Sequence, residues 1–261
     1  MSGLVYVNTA ETATASGGSW LVGLPASNAL TRDLSKVARS TNALAASTKI
    51  LLDNGSAVSA RVLVIIASNL SASAQVKWSR GTTSGGTDVV AGTLINAWQM
   101  SPSVVNGTDF HVWIVQTAAT SARYETLEIV DTSNPAGYVD IGQIFIGDVF
   151  KPTYGPTPGM SDGWKTFGGV ERSDSGYPWV TARRSVRTVA FTLDAMTLAE
   201  GDTLHELQRV AGVTGLVAHM PSLQVGNELQ RYGFVGLLEE LSPIEYPYYQ
   251  RRRLALKLTG I

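Results

Sequence analysis

Residues Gly137–Met196 read GYVDIGQIFIGDVFKPTYGPTPGMSDGWKTFGGVERSDSGYPWVTARRSVRTVAFTLDAM, and the fold turns on how this stretch divides. Its start places Val139, Ile141, Ile144, Phe145 and Ile146 in a strand that runs into Lys151-Pro152. Its end is an Arg-rich strand closing on Val189-Ala190-Phe191-Thr192-Leu193. The segment between them has no apolar periodicity but carries Trp164, Phe167, Tyr177 and Trp179 among glycines and prolines. Large aromatic rings are poor material for a loose linker, so an ordered arm that docks against something is expected. The chain then divides into a β-sandwich over 1–150, an arm and linking strand over 151–192, and a small α+β unit over 193–261, completed by strands from the arm region.

Upstream of that stretch, Leu4-Val5-Tyr6-Val7 reads as a short strand. Lys49–Leu52 reads as another, closed by Asp53-Asn54-Gly55, a tight-turn signal. Arg61–Ala67, RVLVIIA, is apolar after its first residue and predicts a central strand covered on both faces. Gln75–Arg80 alternates and predicts one wet face. Phe110–Val115 and Tyr124–Val130 predict two further strands. In the second, Glu125, Leu127 and Ile129 share one face. Strands at this spacing, with no long helical pattern between them, imply an antiparallel sandwich.

Downstream, Thr197 with Glu200 fits a capping box, and Leu204, Leu207, Val210 and Ala211 recur at helical spacing. One amphipathic helix is expected there despite Gly201, stopped at Gly212 or Gly215. Leu216–Pro221, Tyr232–Leu238 and Arg253–Leu258 then predict strands. The class is mainly β, with one helix packed on a sheet or split barrel in the second half.

Composition narrows the chemistry. Among 261 residues, 20 Lys and Arg balance 21 Asp and Glu for a formal charge of −1, so nothing favours nucleic acid or an anionic membrane as partner. Cysteine is absent, which removes disulfides, thiolate catalysis and cysteine zinc sites. Met1–Asn8 carries no basic segment ahead of an apolar one, and no apolar run nears the ~20 residues of a membrane span, so neither an export leader nor membrane insertion is expected.

No constellation carries catalysis. His111, His205 and His219 are scattered without the spacing of a helical metal site, and no metal or cofactor is expected. Asp109 and His111 lack a nucleophile-elbow sequence to complete a triad. Glu239, Glu240 and Glu245 read as solvated carboxylates of a loop. Gly85-Gly86 and Gly168-Gly169 open no phosphate-binding helix. By contrast Arg183, Arg184 and Arg187 follow the arm directly, and Arg251, Arg252 and Arg253 open the last strand. The expectation is an assembly interface made of Trp164, Phe167, Tyr177, Trp179, Arg183, Arg184 and Arg187, the arginines pairing with a neighbouring subunit's carboxylates. Tyr246-Pro247-Tyr248-Tyr249 reads either as a sticky patch or as core of the last hairpin.

The order of Ser27-Asn28 before the first core strand, Asn69-Leu70-Ser71 after the central one, and Tyr124-Glu125 in a last strand leading through Gly137-Tyr138 to a Gly-rich strand resembles the galactose-binding-like jelly roll of tail structural proteins from long-tailed bacteriophages. The strand, helix, strand, strand, strand order after residue 150 resembles the C-terminal part of distal-tail and baseplate ring proteins. The resemblance implies a non-enzymatic virion protein, assembled in the host cytoplasm. It implies a homo-oligomeric ring, hexameric or trimeric, touching tail tube, baseplate hub and central fibre. A host surface carbohydrate is a further partner it implies. Two alternatives from other classes remain, a carbohydrate-binding module and a hydrolase. No calcium-type acidic loop and no sugar-contacting Arg or His set accompanies the pattern.

Overall fold

The computed structural model describes residues 3–98, 111–224 and 226–261. They form two compact units, 3–150 with 219–233, and 151–218 with 234–261. Both are mainly β and antiparallel.

The first unit holds β1 (Gly3–Val5), β2 (Thr14–Ser16), β3 (Ala38–Arg39), β4 (Ile50–Ser68), β5 (Gln75–Gly81), β6 (Ile95–Asn96), β7 (Val112–Val130) and β8 (Asp140–Gly147). The order across the main sheet is β3-β8-β4-β7-β5-β6, with β2 pairing β4. Val62–Ile66 are all buried, as a strand covered on both faces requires. Leu63 and Ile65 face one core with Ile50, Leu52, Val76, Trp78, Val112, Leu127, Ile129, Ile144 and Ile146.

Three sequence expectations are corrected here. Asp53-Asn54-Gly55 is not a turn: β4 runs through it for 19 residues, and the positive φ of Gly55 (73°) is used at a break in the β4–β7 register between Asp53 and Val58. The two strands expected at Phe110–Val115 and Tyr124–Val130 are one strand, β7, whose middle continues the ladder as Ala122, Ser121 and Thr120 opposite Val58, Ser59 and Ala60. Phe110 and Asp109 lie outside the described residues. β5 has a wet face only at its start, because Ser79 on that face is buried and accepts from the Gly92 N–H at 3.2 Å.

Arg80 alternates onto the opposite, core face of β5, with Val76 and Trp78. It is fully buried, and its Nε and Nη2 donate to the two oxygens of Glu125 at 3.0 and 2.9 Å. Its remaining hydrogens go to the carbonyls of Val58 (2.9 Å), Ala60 (2.9 Å) and Thr120 and to Thr120 Oγ1 (2.7 Å). Those acceptors sit beside the two register breaks, so one side chain satisfies the carbonyls that the bulges release. Trp78 Nε1 donates to Glu125 Oε2 at 2.6 Å. Burial pushes the Glu125 carboxyl up, opposed by Arg80 and Trp78.

The second unit contains β9 (Ser161–Thr166), β10 (Gly169–Arg172), β11 (Pro178–Thr181), β12 (Ser185–Met196), α1 (Leu198–Ala211), β14 (Phe234–Leu238), β15 (Glu245–Tyr248) and β16 (Arg251–Gly260). β13 (Leu216–Met220) crosses the division at 218, and α2 (Asn227–Tyr232) belongs with the first unit. The expected strand at Tyr232 therefore begins at Phe234, since Tyr232 ends a helix too short to leave a periodic signal. β14, β16, β12 and β9 follow one another in an antiparallel sheet.

Val189, Phe191 and Leu193 of β12 and Leu254, Leu256 and Leu258 of β16 alternate into the core with Leu204, Leu207 and Ala211 of α1. The capping box is present, Thr197 and Glu200 bonding each other's backbone, and Gly212 closes the helix with φ 52°. Gly201 is required by close approach: a Cβ there would stand 2.6 Å from Arg252 Cγ.

Candidate interaction surface

β9 is the last strand of its sheet path, and its pairing with β12 sets Trp164 opposite Arg187. Arg187 is nearly buried and bonds Asp162 at 2.5 Å, with its guanidinium 5.9 Å from the Trp164 ring and 5.6 Å from Phe234. This corrects the expected role of Arg187, which pairs with a carboxylate of its own chain and lies under the sheet's aromatic edge. Trp164 itself stays 62% exposed. Phe167 follows it, exposed, with Lys165 Nζ 5.6 Å from its ring.

The arm is not structureless. β10 and β11 pair as a separate two-stranded ribbon, Val170 opposite Val180 and Glu171 opposite Trp179. Its tip, Ser173–Gly176, is held by Gly176 N to the Ser173 carbonyl (2.7 Å), Ser173 N to the Tyr177 carbonyl (2.9 Å) and Tyr177 N to Ser173 Oγ (3.1 Å). Gly176 takes φ 85°, which only glycine adopts without strain. Pro178 has its own φ fixed and restricts Tyr177 before it to extended backbone, so Tyr177 and Trp179, 75% and 73% exposed, are presented by a pre-ordered backbone. Arg183 and Arg184 are exposed between β11 and β12.

Of the seven expected interface residues, six are exposed and Arg187 is not. Trp164 and Arg187 are brought into ring contact, while Tyr177 and Trp179 stand on the separate ribbon.

Sequence reasoning left the tyrosines undecided, and the structure exposes Tyr246, Tyr248 and Tyr249, with Arg252 stacked 3.9 Å over Tyr246. Glu239 is a structural node: Lys165 (2.8 Å), Lys257 (2.6 Å) and Thr259 (2.5 Å) hold its carboxyl down at about 2. Glu245 pairs with Arg253. Among the described residues no three His, Asp or Glu side chains are arranged to hold a metal.

No protein-family model matches the chain, and no curated protein does. Solved structures do match part of it. The family 32 carbohydrate-binding module of NanJ from C. perfringens, in complex with galactose, is 13% identical at TM-score 0.40 over 55% of this chain and 98% of that one. The lectin domain of lectinolysin complexed with Lewis B antigen is 16% identical at TM-score 0.38, over 54% and 96%. A fucose-binding module of Streptococcus pneumoniae is 14% identical at TM-score 0.40, over 54% and 95%.

Proposed function

We propose that the chain is a non-enzymatic assembly protein that self-associates through the arm, and that it serves as a virion component at the distal tail or baseplate of a long-tailed bacteriophage. The observation that carries the assembly reading is the pre-ordered ribbon with Tyr177 and Trp179 about three-quarters exposed, next to a sheet edge that exposes Trp164 and Phe167. Rigid aromatic anchors contribute large contact area at small ordering cost, the property that marks interface hot spots. The tail placement rests on the order of sequence motifs described above, and tail tube, hub and central fibre are its partners in that reading.

Light scattering coupled to size exclusion tests the assembly. Trp179→Ala and Trp164→Ala should move the full chain from oligomer to monomer with the melting temperature nearly unchanged. Unfolding of either variant, or normal assembly of both, would overturn the role of the arm.

A second reading is carbohydrate binding, in which this chain would do what the descriptions of the three solved structures name for those proteins. The same flat rings, Trp164, Tyr177 and Trp179, suit stacking on a sugar. Calorimetry with galactose and fucose separates the two: heat of binding that Trp179→Ala abolishes, from a chain that stays monomeric, would favour the sugar.

A further inference from the structure

β9 ends the sheet of the second unit, and its edge away from β12 meets no strand among the described residues. It is the longest strand to lie at a sheet's end there: β1, β2, β3, β6, β10, β11 and β15 are all shorter, and β11 and β15 each hold a proline. Every residue of β9 is exposed except Gly163, which is half-buried.

An open edge presents a row of backbone N–H and C=O groups to any strand that comes alongside, and chains that stay apart guard it with a proline, a bulge or a free charge. β9 has no such guard. Its register against β12 is unbroken from Ser161 to Thr166 and it holds no proline. Both of its charges are met within the chain, Asp162 by Arg187 at 2.5 Å and Lys165 by Glu239 at 2.8 Å. Trp164 lies mid-strand, on the face it shares with Arg187, and leaves 62% of its surface exposed.

Resting on the assembly reading above, we infer that β9 of a second copy pairs antiparallel along this edge, joining two sheets across a two-fold axis with Trp164 opposite itself. The edge calls for an exposed strand of matching length that brings no unmet charge, and among the described residues β9 is the strand a second copy offers. The register follows from the side chains. Paired strands keep each side chain on its own face, so a two-fold normal to the sheet sets one residue of β9 opposite its own copy. Centring on Asp162 or Lys165 sets like charges opposite each other, which is destabilising. Centring on Ser161 or Thr166 leaves the strands hardly overlapped, and centring on Gly163 leaves no side chains to meet at the axis. Centring on Trp164 brings the two rings together as an aromatic cross-strand pair, with Gly163 opposite Lys165 and Asp162 opposite Thr166 of the other copy. β10 and β11 continue the β9–β12 hairpin beyond Thr166 and Ser185. In this pairing each ribbon therefore passes the Ser161 end of the other copy's β9 and carries Tyr177 and Trp179 onto that copy. The contact is isologous and closes at two copies.

Cross-linking in the full chain tests it, because the chain has no cysteine of its own. Directly opposite residues stand ~4.5–5.5 Å apart at Cα, within the ~4.4–6.8 Å that a disulfide spans, whereas residues two places out of register stand roughly 8 Å apart. Gly163→Cys mixed with Lys165→Cys should give a disulfide-linked dimer on mild oxidation, and each variant alone should not. Gly163 has room for the change, since a Cβ there would meet nothing nearer than Thr188 Oγ1 at 4.0 Å. Trp164→Glu sets two carboxylates opposite each other at the axis while facing Arg187 within its own chain. Sedimentation equilibrium should then show self-association weakened about tenfold, with the melting temperature nearly unchanged. An oligomer whose mixed variants do not cross-link, or that Trp164→Glu leaves intact, would overturn the edge pairing alone. Gly163→Cys cross-linking with itself would overturn the register. A chain that never associates would remove the assembly reading with it.

Discussion

Glu125→Gln is the perturbation whose size follows most directly from the structure. Arg80 is fully buried with every guanidinium hydrogen engaged, and Glu125 supplies the only carboxylate among its hydrogen-bond acceptors. Gln keeps the shape but removes the negative charge and turns an N–H pair toward donors, Trp78 Nε1 and Arg80 Nε, that now lack an acceptor. Removing one partner of a buried ion pair costs about 3–5 kcal/mol, most of it the uncompensated charge left behind. Against a total stability of about 5–15 kcal/mol, this is a large fraction. Urea unfolding followed by the fluorescence of the buried Trp78, Trp98 and Trp113 reads it. At a slope of about 1–3 kcal/mol per molar urea, the midpoint should fall by roughly 2 M. Arg80→Met should do no better, because it strands the carbonyls of Val58, Ala60 and Thr120 at the register breaks. A loss under about 1 kcal/mol for Glu125→Gln would refute the claim that the pair holds β4 and β7 in register.

Glu239 and Asp53 are both held at about 2, the first by Lys165, Lys257 and Thr259 and the second by Arg123 and the Gly55 N–H. The stability they supply is complete above their ordinary values of 4.5 and 3.8 and is lost as pH falls toward 2, so acid unfolding of Glu239→Gln should show a shallower loss across that window. Thr197→Ala removes the side-chain cap of α1 and should cost about 1 kcal/mol in thermal unfolding, whereas Thr197→Ser should cost a few tenths. Trypsin should cut the isolated chain first at Arg172, in the fully exposed ribbon, or at Arg183 or Arg184, exposed just after it, and mass spectrometry of the first fragments checks this; first cuts within β4 or β7 would contradict it.

Patterns with a strong period were legible. RVLVIIA announced a strand buried on both faces, and Thr197 with Glu200 announced the helix start, because each signal is local and repeated. The bulge at Gly55 was not, since Asn-Gly tolerates positive φ in a turn and in a bulge alike, and only the partner strand decides between them. Glu125 shares the parity of Leu127 and Ile129, a sign that its carboxylate faces the core. Its partner Arg80 lies 45 residues away, out of reach of any local rule. Arg187 was read with Arg183 and Arg184 as one cluster. Strand alternation instead turns it onto the buried face with Val189 and Phe191, where Asp162 meets it.

The central claim is that the exposed aromatic arm builds an oligomer, and electron microscopy of the purified full chain beside its Trp179→Ala variant tests it most directly. The account predicts particles of one uniform diameter for the parent chain and isolated monomers for the variant. Monomers from the parent chain at every concentration tried, or identical particles from both, would contradict it.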